Sequence, residues 1–510
     1  MISSRASRPC CRARAARSFS TGNKRFSGFT HQGRCRVMPA LMLINGQNAI
    51  FWHADTMNDN TLQTFPLSPL HVAVVGAGIS GLSVAWFMAG QGMTVRVFES
   101  GERVGGKIRT LGQNGALFEA GPNTLMAGDA HLAWLAELGL QVEYPSAQSR
   151  HRFVLSQGRY RRLPGGPGAL LFGDFFSMGA KWRMLSEPFR RNRPATRPET
   201  VAGFFRRRLG DEVLAKAVNP FVGGVFAGDP EQLLIDETLG VLAEVERTAG
   251  SISGGMLRKA LKGGMQRRNT YSLSGGLESL PRALARTLDV RLSCPVTALR
   301  PSGAHWQVEA GGQSHLAEQV VLALPAFGAA RLLEEIDAEA AAAFAAIRYA
   351  PMTVVVTRLR CTQVMRPLEG FGGLNPAAEG AFAAGHLMTG ALYPGRCAEG
   401  EMLITSFVGG AQYAAHAALA DEELLARLNR ELADLFGVEG EACGQVVVRW
   451  PEAIAQGSVE VLAARVAAKR LAARGIHVCA SFLDGVSVPD CMDKGKKLAL
   501  QLAGASPSLP

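Results

Sequence analysis

The sequence predicts an α/β protein, α+β overall, and three observations carry the expectation. The composition is globular: 510 residues, 47% hydrophobic, 19% charged and 7% aromatic, which is chain enough for about two to four domains. Residues 71–75 (HVAVV) form a short, uncharged, β-branched run that ends in a glycine-spaced turn and an apolar helical stretch. A second such run, residues 94–98 (TVRVF), closes on an acid, which completes the outline of a β-α-β unit with parallel strands.

The leader falls outside this fold. Residues 1–56 hold Lys24 and eight arginines against the single acid Asp55, so most of the formal net charge of +11 sits there. The remainder is close to neutral, and no nucleic-acid partner is expected. A segment rich in Arg, Ser and Ala without Asp or Glu before residue 55 reads as an organellar transit peptide, a basic tail, or sequence upstream of a working start at Met57. The nine cysteines form no C-x-x-C pair and no zinc spacing, so neither a metal site nor a disulfide framework is expected. The uncharged stretch 67–95 is long enough to span a bilayer, but its five glycines, Ser80, Ser83 and Gln91 suit a dinucleotide turn better than a transmembrane helix.

The turn is Gly76-Ala77-Gly78-Ile79-Ser80-Gly81. Gly76 allows the tight bend, Gly78 lets backbone approach a pyrophosphate, and Gly81 lets the helix pack on the strand, with the helix N-terminus facing the phosphates. Glu99, followed by Ser100, stands 18 positions after Gly81 and is placed to accept hydrogen bonds from a ribose. Next come Arg103-Val-Gly105-Gly106-Lys107-Ile-Arg109-Thr110 and Phe118-Glu119-Ala-Gly121-Pro122-Asn123. A simple nicotinamide dehydrogenase has no need of this second glycine-and-basic segment. FAD, with a pyrophosphate and a buried ring system to hold, does, so a Rossmann-like FAD-binding domain is expected.

Later segments narrow the choice. They are Asn219-Pro-Phe221-Val-Gly-Gly224-Val-Phe226-Ala-Gly228-Asp-Pro, Ser272-Leu-Ser-Gly275-Gly276-Leu277, and Val320-Val-Leu-Ala-Leu-Pro325. Gly370-Phe371-Gly372-Gly-Leu374-Asn-Pro376 follows, then Asp484-Gly485-Val486-Ser-Val488-Pro489-Asp490-Cys491. Together, over roughly residues 70–503, they resemble the oxygen-dependent protoporphyrinogen oxidase family of the amine-oxidase-like flavoproteins. The chain departs from that pattern at Ala480-Ser481, where the family has Gly-Asn, at Ile235, where Ser is common, and at Ala455-Gln456, where Pro-Gln is usual.

The resemblance implies non-covalent FAD contacted by Gly76, Ala77, Gly78, Ile79, Ser80 and Gly81. It also implies contacts from Glu99, Ser100 and Lys107, from Gly121, Pro122, Asn123 and Thr124, and from the backbone of Val296. Ser481, Val486, Ser487 and Val488 would lie near the flavin ring. The implied substrate is a porphyrinogen, with Arg152 meeting a propionate and Phe371, Gly372, Leu374 and Phe407 forming the walls. No catalytic side chain is named, because flavin N5 takes the hydride. Cys491 is expected to be packed and unreactive. The implied activity is oxidation of protoporphyrinogen IX to protoporphyrin IX by O2, six electrons and three H2O2, the penultimate step of haem biosynthesis. Coproporphyrinogen III is the alternative substrate; an amine oxidase or carotenoid desaturase is a more distant one.

The expected organisation is a leader at 1–68 and a FAD-binding domain at 69–148, 271–330 and 471–503. A helical substrate- and membrane-facing region occupies 149–270, an interleaved mixed-sheet substrate-binding domain 331–470, and a tail 504–510. In the helical region Trp182, Phe189, Phe204 and Phe205 stand among Arg190, Arg191, Arg193, Arg206, Arg207 and Arg208, a mixture suited to anionic lipid, so peripheral membrane contact is expected. A homodimer and hand-over to ferrochelatase complete the expected partners. The location would be cytoplasmic on the inner membrane in a bacterium, or a mitochondrial or plastid membrane if the leader is a transit peptide.

Overall fold

The computed structural model describes residues 70–190, 198–261 and 268–504, with three short strands before them. Those strands, Met42–Ile44, Asn48–Ile50 and Phe65–Pro66, pair antiparallel in a sheet of their own. They belong to the unit Met1–Ser68, which is distinct from the body Pro69–Pro510. Arg191 and Arg193 lie outside the described residues.

The body is built on two sheets. In the nucleotide sheet Leu70–Val75 lies between Val95–Phe98 and Gln313–Leu322, parallel to both. Asp289–Arg291 extends one side in parallel, and Ile476–Val478 pairs in parallel with Gln313–Leu322. Alternation along the first strand explains the two buried faces. Val72 and Val74 join a core formed with helices Ile79–Gly90, Ser279–Ala285 and Val488–Leu502. Ala73 and Val75 join the opposite core, with helices Ala326–Leu333, Ala338–Ala345 and Glu460–Ala472. The last two helices, expected in the substrate-binding domain, thus bury against the nucleotide sheet, because their alanines and Leu471 have their apolar partners there.

The second sheet runs Arg159–Arg162, Arg152–Ser156, Gly372–Leu374, Gly385–Leu387, Glu401–Gly409, Tyr349–Arg360, Gly444–Ala455. One face is covered by helix Asp421–Phe436, whose Leu424, Leu428, Leu432 and Phe436 recur at helical spacing and are all buried. Residues 152–162, expected within the helical region, are a hairpin at the edge of this sheet.

The helical region departs from expectation in its charges. Phe204 is fully buried and Phe205 nearly so, in the core of the region. Arg208 is fully buried, with Nη1 3.3 Å from Glu187 and Nε 2.6 Å from Glu246. Arg207 bonds Glu199 and Glu246, and Arg206 bonds Asp211 and Glu231. The expectation that Phe204, Phe205 and Arg208 face lipid is therefore overturned, and Arg206 and Arg207 pair their charge with acids: a buried arginine persists only where acids pair with it, and Arg208 has them. What does face outward is Phe172, Met178, Trp182, Leu185 and Phe189. Among the described residues no helix is long and apolar enough to cross a membrane.

Candidate functional site

The three glycines of the first turn differ in what surrounds them. Gly76 has φ +103°, and a Cβ there would lie 2.7 Å from the Ala323 carbonyl oxygen. A Cβ on Gly81 would stand 2.0 Å from the Gly76 oxygen. On Gly78 it would meet nothing within 4 Å. Two of these glycines are demanded by the protein's own packing, while the third opens onto space that a ligand would need. The second glycine segment closes the other side: Gly105 N donates to Ala77 O at 2.8 Å, and Gly78 and Gly105 form a parallel bridge.

Glu99 ends its strand beside this turn. Oε2 accepts from Ala77 N and Oε1 from Gly101 N, each at 2.8 Å, and Ser100 Oγ donates to Oε1 at 3.3 Å. Cys294 N donates to Glu99 O at 2.8 Å, which brings the following Val296 alongside. Gly121 packs so closely on residue 107 that a Cβ would lie 1.9 Å from Lys107 O. Pro122, Asn123 and Thr124 continue from there, and Asn123 Oδ1 is a buried acceptor without a hydrogen-bond partner among the described residues. An open cradle at Gly78, a carboxylate at the strand end and an orphaned amide oxygen fit the phosphates, ribose and polar edge of FAD. Ile79 and Ser80 form the first helical turn behind the cradle.

Lys107 reaches away from the cradle. Its Nζ donates to Ala453 O at 2.7 Å and lies 5.1 Å from the centre of the Tyr349 ring. Burial lowers its pKa to about 8, against a smaller opposing pull from Glu452.

The chain returns to the cradle at its C-terminal end. Cys479 follows the last strand, and burial pushes its thiol up to about 12. Cys491 is equally buried. Ser481, Val486, Ser487 and Val488 lie on the loop that opens helix Val488–Leu502. Ser487 caps this helix by accepting from Asp490 N, while Asp490 accepts from Ser487 N. The helix packs on Ile79–Gly90 so closely that a Cβ on Gly495 would lie 2.8 Å from Val84 N.

The residues expected at the substrate share one sheet surface. Val154 pairs with Leu374, Leu374 with Gly385, and Gly385 with Phe407, so these side chains project from the same face. Arg152 pairs with Gly372 two residues along. Arg152 is exposed, and its guanidinium lies 4.3 Å from the Phe371 ring centre. Gly372 has φ +146°, and a Cβ there would strike the His386 oxygen at 2.2 Å. The Phe407 end of this face packs with Ala116, Phe118 and Ala227, and Trp450 Nε1 donates to Ala120 O at 2.6 Å.

Sequence reasoning missed a buried charge that ties the loop before strand Glu401–Gly409 to two small neighbouring sheets. Arg396, from the substrate side, reaches Glu119 at 3.3 Å, Glu143 at 2.6 Å and Ser272 Oγ at 2.7 Å. Burial raises the pKa of Glu119 against the pull of Thr110, Leu277 and Arg396. A lone arginine far along the chain carries no local signal; only the topology brings the acids to it.

Comparison with known proteins places these features in a family context. The pattern of the family described as "Flavin containing amine oxidoreductase" matches residues 79–502. The Arabidopsis thaliana protoporphyrinogen oxidase 2, chloroplastic/mitochondrial, is 31% identical, covering 74% of this chain and 82% of that protein. The Homo sapiens protoporphyrinogen oxidase is 30% identical, covering 86% and 99% respectively. In structure, a protein from Exiguobacterium sp. 255-15 provisionally assigned as a protoporphyrinogen oxidase superposes with TM-score 0.72 at 21% identity, over 86% of this chain and 99% of its own. A reduced UDP-galactopyranose mutase reaches 0.66 at 14% identity, over 86% and 96%, so the fold by itself does not select the reaction.

Proposed function

The chain belongs to the flavin-containing amine oxidoreductase family, and on that premise we propose that it oxidises protoporphyrinogen IX to protoporphyrin IX with O2 as acceptor. FAD, when bound, supplies the two-electron acceptor that oxygen regenerates. Removing six electrons takes three turnovers and yields three H2O2. Glu99, the Gly78 cradle and the 481–488 loop hold the cofactor in this reading, and the protein's own work at the substrate is binding and orientation. Leu374 and Phe407 present apolar surface to the macrocycle, and the nearby hairpin 110–119 excludes water from one end of that face.

The observation that carries the substrate assignment is the shared face: Arg152, stacked on Phe371, stands beside an apolar row that ends at Phe407, packed with Ala116 and Phe118. Stacking leaves the edge of the guanidinium, with its paired donors, available for a carboxylate. Arg152→Ala should lower kcat/KM for protoporphyrinogen IX about ten- to a hundredfold, the loss of a charge-assisted hydrogen bond. It should appear mainly as a raised KM with unchanged flavin content, because the propionate is remote from the reacting carbon. Arg152→Lys should recover part of the loss. An unchanged KM in the alanine variant, measured by porphyrin fluorescence with coproporphyrinogen III run in parallel, would place the propionate elsewhere.

Membrane contact belongs to the same proposal. Phe172 and Phe189 are 90% exposed and Trp182 72%. Leu257 and Leu261 are exposed as well, with Arg258 and Lys259 exposed between them. Exposed aromatics beside cations suit the surface of an anionic membrane, and a greasy substrate favours an enzyme seated there.

A further inference from the structure

Helix Val488–Leu502 carries three lysines, at 494, 496 and 497, and Lys494 alone turns back on the loop that precedes the helix. Its Nζ donates to three carbonyls of that loop: Ala480 O at 2.8 Å, Leu483 O at 2.6 Å and Gly485 O at 2.8 Å. An ammonium has three donors, and here each has a carbonyl of one short turn. The turn needs such a hold. Asp484 adopts φ +56° and Gly485 φ +107°, and a Cβ on Gly485 would lie 2.9 Å from Asp490 Oδ2. A non-glycine residue in the left-handed region persists where its surroundings over-determine it. Asp484 is held from outside as well, its carboxylate 3.0 Å from Arg465, which itself pairs with Glu237 at 2.6 Å.

We propose that Lys494 is a positioning residue for the cofactor: by gathering three carbonyls it fixes the shape of the 480–485 turn, and through it the placement of Ser481, Val486, Ser487 and Val488 against the flavin ring. This rests on FAD binding at the glycine cradle. The two ideas fail differently. Wild-type protein that takes up no FAD defeats the cofactor reading, whereas a yellow wild type with an equally good Lys494 variant defeats only this one.

The experiment titrates FAD into apoprotein of wild type, Lys494→Met, Lys494→Gln and Lys494→Arg, well below the melting temperature of each, and records the visible flavin spectrum. Lys494→Met keeps the length and removes every donor. Its Kd for FAD should rise about ten- to a hundredfold, and the flavin bands should lose the resolved shoulders of a ring held in one environment. Lys494→Gln and Lys494→Arg should fall between Met and wild type, because each restores some donors without matching three converging carbonyls. A folded Lys494→Met that binds FAD within about a factor of two of wild type, with an unchanged spectrum, overturns the proposal even if the apoprotein melts lower. Should Lys494→Met fail to fold, Lys494→Gln decides: wild-type affinity and spectrum in that variant overturn it, and weakened affinity with a blurred spectrum supports it.

Discussion

An alanine methyl at Gly81 would meet the Gly76 carbonyl oxygen at 2.0 Å, whereas at Gly78 it would meet nothing within 4 Å. The two positions should therefore fail in different ways. Gly78→Val should give a folded, colourless protein, its apo melting temperature close to wild type and its FAD content lost. Gly81→Ala should lower the stability of the apoprotein itself, by about 1–3 kcal/mol from overpacking, as read from denaturant titration. Lys107 makes a second residue-scale prediction. Its folded pKa, about 8, lies below a lysine's ordinary 10.5 because burial penalises the charge, so the unfolded chain binds more protons between those values. The charged lysine is a cost to the fold at neutral pH, and that cost fades as pH rises from about 8 toward 10.5. Lys107→Met apoprotein should accordingly unfold at higher urea than wild type at pH 7, by of order 3 kcal/mol at most, with the gap closing near pH 10. The glycine turn and Glu99 at its strand end were legible in the sequence because their geometry is local, a spacing and a strand end, whereas Arg152 was placed by the family resemblance alone. Arg396 and Lys494 were not legible. The first finds its acids only through the topology, and the second resembles its solvated neighbours Lys496 and Lys497.

Helix Met178–Leu185 shows what periodicity does and does not convey. Met178, Trp182 and Leu185 are all exposed, at spacings that put them on one side of the helix, while Ala180 and Lys181 turn inward. The next helix, Val201–Arg208, has the same mixture of aromatics and arginines but buries Val201, Phe204, Phe205 and Arg208. Composition made the two helices look alike. The acids that separate them, Glu187, Glu199 and Glu246, sit on other elements and could not be paired by reading along the chain. The regular local unit was easier: the first β-α-β unit stands where its pattern put it. The exposed helix face makes a prediction at its own scale. Trp182→Ser with Phe189→Ser should weaken binding to vesicles containing anionic lipid by about tenfold or more, in a flotation assay. Turnover of detergent-dispersed substrate should stay at the wild-type level. Unchanged flotation would assign the face to something other than lipid.

At the scale of the whole molecule the chain behaves as a body beginning at Pro69 and a separate preceding unit. Glycine turn, strand-end carboxylate, substrate face and C-terminal loop all belong to the body, so a chain starting at Met57 should load FAD and turn over at the wild-type rate; loss of flavin on truncation would tie the leader to the fold. The broad division into nucleotide and substrate sheets was readable from motif order, but its borders were not. Helices Ala338–Ala345 and Glu460–Ala472 flank the substrate strands in sequence yet choose the nucleotide sheet for their apolar partners, a choice made by shape rather than by local pattern. The nucleotide sheet itself is assembled from both ends of the body, since Ile476–Val478 lines up beside Gln313–Leu322 and helix Val488–Leu502 lies on Ile79–Gly90. In chain order the glycine turn therefore comes early and the helix that covers its neighbour comes much later. Until helix Val488–Leu502 docks, helix Ile79–Gly90 has an uncovered apolar side, and closing it is a long-range step of the kind that folds slowly.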